Sequence, residues 1–137
     1  MMEICKADFV DLNKILELQY LAYQSEAVLF GTNDIPPLKQ TMEEVIQEYR
    51  NSIILKMISE ENDIIGSVRA REDNGTAYIG KLMVHPDYRC CGCGTKLLRK
   101  SRSFIPENGM SFLQAQGVKQ IFVYIRETDT QYLTVNQ

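Results

Sequence analysis

A short glycine-containing segment in the middle of the chain has the residues of a binding loop for phosphate groups. The segment reads Arg89-Cys90-Cys91-Gly92-Cys93-Gly94-Thr95 and lies between an apolar strand pattern and an apolar helix pattern. Such a loop turns several backbone N–H groups toward one point at a helix N-terminus, where the helix dipole also favours negative charge. Glycines at 92 and 94 leave room for a phosphate to approach the backbone closely. The segment therefore predicts a site for a phosphate-containing ligand.

The same segment holds three of the four cysteines, so a metal or redox site is the alternative. Cys90 and Cys93 have C-x-x-C spacing, but structural zinc needs four ligands. Only Cys91, Cys5 and the single histidine, His85, remain, and none of them repeats the spacing of the pair. A redox pair would need a thioredoxin-like pattern around it. We therefore predict no metal, and the crowded cysteines favour a reducing compartment, the cytoplasm.

The elements around this loop predict an α/β (α+β) fold. A helix follows Asp8, and Thr41 begins a second helix with a capping-box pattern that runs to about Arg50. The consecutive prolines predict a loop over residues 31–37. Runs of β-branched and apolar residues predict three strands: 53–59, 64–71 and 76–84. Since Asn74-Gly75 is a strong hairpin signal, the strands form an antiparallel meander that leads into the loop.

Composition limits the classes of protein that the chain can represent. Its 137 residues are 45% hydrophobic and 24% charged, which predicts one globular domain over residues 1–137. A net charge of -3 gives no broad basic surface for nucleic acid or an anionic membrane. The longest apolar runs are interrupted by charge, and the N-terminus lacks the layout of a signal peptide. We therefore predict a cytoplasmic protein that binds neither nucleic acid nor membrane.

The loop and the strand before it resemble the coenzyme A signature of the GNAT acetyltransferase superfamily. In that family a strand reading L-x-V-x-P-x-[YF] leads into [QR]-x-x-G-x-[GA] and a helix. The matching residues are Leu82, Val84, Pro86, Tyr88, Arg89, Gly92 and Gly94. The order of the preceding elements also matches, so the resemblance covers about residues 3–98. It implies a GNAT-like acyl-CoA N-acyltransferase fold, with a central, mostly antiparallel sheet flanked by helices.

The resemblance implies an acetyl-CoA-dependent N-acetyltransferase that moves an acetyl group to a primary amine of a small molecule or peptide. Loop N–H groups would hold the pyrophosphate, and the end of the strand would splay and offer backbone groups to the pantetheine and the acetyl carbonyl. The implied binding residues are Leu82, Met83, Val84, Arg89, Cys90, Cys91, Gly92, Cys93, Gly94 and Thr95. Acetyl-CoA and an amine acceptor are the implied partners, and a homodimer is allowed. The mildly acidic stretch 20–40 would suit a cationic amine.

The chain departs from the family pattern after Arg99. Family members show a second motif resembling N-x-x-x-Y-x-x-x-G-[FY], whose tyrosine often protonates the leaving thiolate, and residues 99–137 form an atypical tail without it. A strand over 117–126 is predicted there, and the C-terminal elements are otherwise incomplete. The remaining candidates for catalytic groups are Tyr124, Tyr132 and Glu26. His85 is more consistent with a solvent-facing position than with catalysis.

Codon degeneracy offers one explanation for this tail. A shifted reading frame joins the third base of each codon to the first two bases of the next. In that frame, the codons possible for residues 99–134 can encode the peptide N-I-R-L-Y-K-R-N-G-Y, which contains the missing motif. The hypothesis is a frameshift near Arg99, and the coding DNA tests it. Two alternatives to the transferase are a non-catalytic coenzyme-A-binding remnant and an interaction protein that pairs through an exposed sheet edge.

Overall fold

A computed structural model describes residues 2–73, 76–89, 91–104, 120–126 and 129–134. Its strands are β1 Glu3–Lys6, β2 Ile53–Ile58, β3 Ile64–Asp73, β4 Thr76–Val84, β5 Gln120–Arg126 and β6 Asp129–Thr134. Its helices are α1 Leu12–Phe30, α2 Pro36–Lys39, α3 Met42–Asn51 and α4 Cys93–Phe104. The six strands form one sheet in sequence order, antiparallel throughout except for the parallel pair β4 and β5. The predicted mixed α/β fold, with a mostly antiparallel sheet flanked by helices, is therefore confirmed.

Local signals in the sequence set several of these boundaries. Thr41 Oγ1 accepts from the backbone N–H of Glu44 at 3.2 Å, and the Glu44 carboxylate accepts from the N–H of Thr41 at 2.9 Å. This reciprocal pair satisfies two donors that a helix N-terminus leaves free, so α3 begins where the capping box predicts. Asp73 pairs with Thr76 across the predicted hairpin, whose turn residues 74 and 75 lie outside the described residues.

The predicted loop over residues 31–37 is wrong at its last two positions. Pro36 and Pro37 do not lie in a loop but form the first positions of α2, where the missing proline N–H would have no helical partner anyway. α4 continues to Phe104 although residues 100–103 have no apolar face. Ser101 is buried there, and its hydroxyl donates to the carbonyl of Leu98 at 2.7 Å. A small side chain thus lets a polar segment continue a packed helix.

Helices cover both faces of the sheet. Ile79 of β4 packs beneath α4 with Leu97, whereas Met83 packs against α1 with Ala22 and Tyr23. Residues four apart on a regular strand share a face, so the alternation of β4 is interrupted between them, where Lys81 has a positive φ. The first half of α1 and α3 share a third apolar cluster, which includes Val45. The sheet therefore separates the α4 side from the α1 and α3 side. Within the described residues, none of the helices has the length and hydrophobicity needed to cross a membrane.

Candidate active site

The predicted phosphate loop connects β4 to the N-terminus of α4. Gly92 has a φ of +77°, and apart from Gly92 itself and its two chain neighbours no described atom lies within 4 Å of the place where a Cβ would stand. The backbone conformation itself therefore favours glycine at this position, because an L-residue is strained in the left-handed region. Gly94 differs, since an added Cβ would meet only Val84, at an ordinary 3.9 Å. The first glycine serves the turn, and the second keeps the start of α4 free of side chains.

A cavity of about 480 Å³ lies between this loop, β4 and the second half of α1. Eight of the predicted binding residues line it: Leu82, Met83, Val84, Arg89, Gly92, Cys93, Gly94 and Thr95. Cys91 is exposed and is not among the lining residues, and Cys90 lies outside the described residues. The sequence did not reveal the contribution of α1, which comes from Ala22, Tyr23, Ser25 and Leu29. Leu29 in this wall is a large exposed apolar side chain, a property that only the structure reveals.

β4 is irregular where it borders this cavity. Lys81 has a φ of +53°, and the register with β3 shifts between Ser67 and Arg69, so β4 carries a bulge at Lys81. Pairing with β5 ends at Ile79 and Val123. Beyond that point β4 and β5 are not paired with each other in the part of the chain that the structure describes.

Arg89 and Cys93 connect the loop to the body of the protein. The guanidinium of Arg89 donates from Nη2 to the backbone carbonyl of Ala22 at 2.6 Å, which ties the loop to the middle of α1. Cys93 is the first residue of α4, and its small side chain is buried in the core between α4 and the sheet. Burial raises the pKa of the Cys93 thiol, so it stays protonated at neutral pH. Cys93 therefore contributes packing and its backbone, not a reactive thiolate.

A second cavity, of about 430 Å³, lies between α3 and the part of β4 that precedes Leu82. Both carboxylate oxygens of Glu48 on α3 accept a hydrogen bond. Arg69 Nη1 donates to Oε2 at 2.5 Å, and Lys81 Nζ donates to Oε1 at 3.3 Å. Burial raises the pKa of Glu48, but the opposing charges of Arg69 and Lys81 outweigh it and hold the pKa below its usual value. Arg69 is itself only 5% exposed, and it also donates to Gln19 and Gln40. This cavity is lined by a fixed polar network.

The remaining candidate residues are dispersed. His85 Nδ1 accepts from the backbone N–H of Asp87 at 3.1 Å, and His85 lines neither of the two cavities. Tyr124 follows the last residue of β5 that pairs with β4, and Tyr132 lies opposite Phe122 on β6. Glu26 lies in α1. The side chains of Tyr124, Tyr132 and Glu26 lie outside the described residues.

Metal chemistry finds no support in the described part of the chain. Cys5, Cys91 and Cys93 are free thiols. Among the described residues, no three His, Cys, Asp or Glu side chains come together in a way that could hold an ion.

Comparison with known families identifies the class of this protein. A sequence model of the Acetyltransferase (GNAT) family matches residues 12–124. The chain belongs to this family, which confirms the resemblance, and the match extends well beyond the coenzyme A signature. No protein of curated function matches the sequence.

Solved structures agree on the fold. A GNAT family acetyltransferase from Brucella melitensis in complex with acetyl-CoA superposes with a TM-score of 0.65 and 16% identity, covering 100% of this chain and 90% of that one. The PaiA N-acetyltransferase from Thermoplasma acidophilum in complex with coenzyme A gives a TM-score of 0.63 and 15% identity, covering 93% and 81%. A GNAT family acetyltransferase from Staphylococcus aureus gives 0.62 and 19%, covering 90% and 73%. At these identities the likeness establishes the fold.

Proposed function

We propose that this chain is an acetyl-CoA-dependent N-acetyltransferase that acetylates a primary amine of a small molecule or peptide. One observation carries the proposal: the glycine loop and the unpaired end of β4 line the same cavity. A loop of N–H groups at a helix N-terminus binds phosphate, and an open strand edge binds an amide-containing chain. Coenzyme A carries both chemical groups, a pyrophosphate and a pantetheine with two amides. Two solved relatives of the same fold are complexes with coenzyme A or acetyl-CoA.

The pyrophosphate would lie on the backbone N–H groups of residues 91–95, at the start of α4. Pantetheine would follow β4 along Leu82, Met83 and Val84, with the thioester near the bulge at Lys81. Backbone N–H groups there would polarise the acetyl carbonyl and stabilise the oxyanion that forms during attack. A neutral amine attacks the carbonyl carbon, a C–N bond forms and the C–S bond breaks. The thiolate of coenzyme A then needs a proton, and the amine must lose one.

Tyr124 is the first candidate for the acid in this reaction. Its backbone lies one residue beyond Val123, where β5 parts from β4, and this is the end of the sheet at which the thioester would sit. Tyr132 on β6 and Glu26 on α1 are the other candidates. Tyr124→Phe removes only a hydroxyl, so it should lower kcat and leave the KM for acetyl-CoA unchanged if the phenol protonates the thiolate. Tyr132→Phe is the matched control, and an equal loss of kcat in both variants would contradict the assignment to Tyr124.

The proposed activity is tested by binding and by product formation. Titration calorimetry with acetyl-CoA and coenzyme A measures occupation of the first cavity. The acetylated amine is then detected by mass spectrometry across small amines, polyamines and peptide N-termini, because the four cysteines of the chain would react with thiol reagents. Binding without any acetylated product would contradict the transferase and support the coenzyme-A-binding remnant. If acetyl-CoA does not bind, both are wrong, and pairing through a sheet edge is the remaining function. The homodimer and the cytoplasmic location stay predictions.

A further inference from the structure

The second cavity adjoins the same strand as the first, on the other side of the bulge. Gly80 and Lys81 line the second cavity, whereas Leu82 and the two residues after it line the first. A molecule in the second cavity would therefore approach β4 next to the place proposed for the thioester. This position suits the acceptor and not the cofactor, because the phosphate loop borders only the first cavity.

Positive charge is in excess at this position. One carboxylate, Glu48, is shared by two cations, Arg69 and Lys81, so the cluster carries one more positive charge than negative. Glu48 also accepts from Gln40 Nε2 at 2.6 Å, and its oxygens are therefore occupied. The neighbouring cations lower its pKa below the usual value although burial raises it, so Glu48 remains ionised and is a poor base. Its role is to orient the two cations.

The two cations differ in their freedom to meet a ligand. Arg69 is held in the interior by bonds to Glu48, Gln19 and Gln40. Lys81 retains 22% side-chain exposure, and among the described residues it makes one hydrogen bond, to Glu48. An ammonium group has three donors, so Lys81 can still donate to a ligand in the cavity.

The backbone of Lys81 supports the same conclusion. Its φ of +53° is a conformation that costs a lysine about 1–2 kcal/mol relative to glycine. Lysine stands there nonetheless, at the bulge that directs its ammonium into the cavity beside Glu48. Strain of this kind concentrates at binding and catalytic sites.

We propose that the second cavity binds a carboxylate of the acceptor through Lys81, with Arg69 adding to the positive field, so that the acceptors are amines that carry a carboxylate, such as amino acids. The inference rests on the proposed acetyltransferase function and narrows its substrate class. It differs from the cationic amine that the acidic stretch 20–40 suggests, because the charges that border this cavity come from β3, β4 and α3. A second ammonium would be repelled by Lys81, whereas a carboxylate forms a charge-assisted hydrogen bond with it.

Matched ligands test this proposal without relying on turnover. The protein is saturated with coenzyme A and titrated with glycine, β-alanine and γ-aminobutyrate, each compared with its carboxamide and with a diamine of similar length. We expect at least one of the carboxylates to bind about tenfold more tightly than its amide, and the diamines to bind no better than the amides. Equal binding of every carboxylate and its amide, or tighter binding of a diamine, would overturn the proposal.

Charge variants assign the effect to Lys81. Lys81→Met should reduce the preference for the carboxylate to less than about twofold, and Lys81→Arg should retain most of it. Lys14→Met is the control, since it removes the same charge from an exposed position on α1. Circular dichroism melts of all three variants show whether each is folded, and a folded Lys81→Met with an intact preference would contradict the proposal.

The test separates this inference from the proposed function. Binding of carboxylates with no acetylated product would support the subsite and contradict the transferase. Acetylation of amines and their carboxylate-bearing counterparts at equal kcat/KM would support the transferase and contradict the subsite.

Discussion

Gly66 of β3 is the position at which the smallest change should most disturb the placement of α4. A Cβ built on Gly66 would lie 2.7 Å from Leu97 Cδ1, 3.3 Å from the carbonyl oxygen of Met83 and 3.4 Å from Met57 Cβ. Carbon atoms in contact are separated by about 3.5–4.0 Å, so Leu97 would have to move by roughly 1 Å. The Met83 carbonyl and Met57 Cβ prevent the new methyl from moving away. Leu97 is fully buried, so α4 must shift outward or Leu97 must leave its rotamer.

Gly66→Ala should therefore lower the free energy of unfolding by about 1–3 kcal/mol, the usual cost of overpacking a core. Urea denaturation followed by circular dichroism measures this difference. Because α4 carries the phosphate loop at its N-terminus, the variant should also bind coenzyme A more weakly under conditions in which it remains folded. Gly94→Ala is the matched control, as its Cβ meets only Val84 at 3.9 Å, and it should change stability by less than about 1 kcal/mol. A Gly66→Ala protein as stable as the wild type would refute the close packing of β3 against α4.

Three further predictions concern the two cavities. Alanine in place of Gly92 or Gly31 would have to adopt a positive φ, with open space around its Cβ. Each substitution should therefore lower the free energy of unfolding by about 1–2 kcal/mol. Only Gly92→Ala should weaken coenzyme A binding in calorimetry. Since the folded-state pKa of Glu48 is lowered, its contribution to stability is present above the unfolded pKa of about 4.3 and is lost as pH falls through the folded value. At neutral pH the Glu48→Gln variant should have a free energy of unfolding about 2–3 kcal/mol lower than the wild type, because Arg69 stays buried without its carboxylate partner. Urea denaturation across the acid range should show that the stability of this variant depends less on pH than that of the wild type. Arg89→Met should raise the KM for acetyl-CoA with little change in thermal stability, as it releases the loop from Ala22.

The elements that local signals define could be predicted from the sequence. The capping box at Thr41 and the hairpin that ends at Thr76 place α3 and β4 within a residue of their observed limits. The rule that consecutive prolines form a loop failed, because the effect of a proline depends on its position within a helix. Pro36 is compatible with a helix only in its first turn, and the loop rule does not make this distinction.

The first cavity was predictable because its key contacts come from one continuous segment. The glycines between a strand pattern and a helix pattern, together with the resemblance to the GNAT signature, identify this segment, and the structure places its residues around one cavity. The second cavity was not predictable, since its charges come from distant parts of the chain. Arg69 alternates with buried Val68 and Ala70, which predicts an exposed strand face, yet Arg69 bonds Gln19, 50 residues away, beneath α1 and α3. The bulge at Lys81 has no sequence signature, because lysine rarely adopts a positive φ.

Under the proposed function the two cavities would recognise their ligands by different means, and the two would therefore differ in how much substitution they tolerate. Backbone N–H groups hold a phosphate whatever the side chain, so Cys90 and Cys91 can stand where the family usually has glycine, polar or basic residues, with loss of flexibility and a positive charge but not of the donors. In the proposed acceptor site, recognition would depend on the side chains of Lys81, Arg69 and Glu48, so a single charge change there would alter which amine binds. If the two proposed sites are correct, acceptor choice would diverge at the bulge of β4 while the loop proposed for the cofactor remained unchanged.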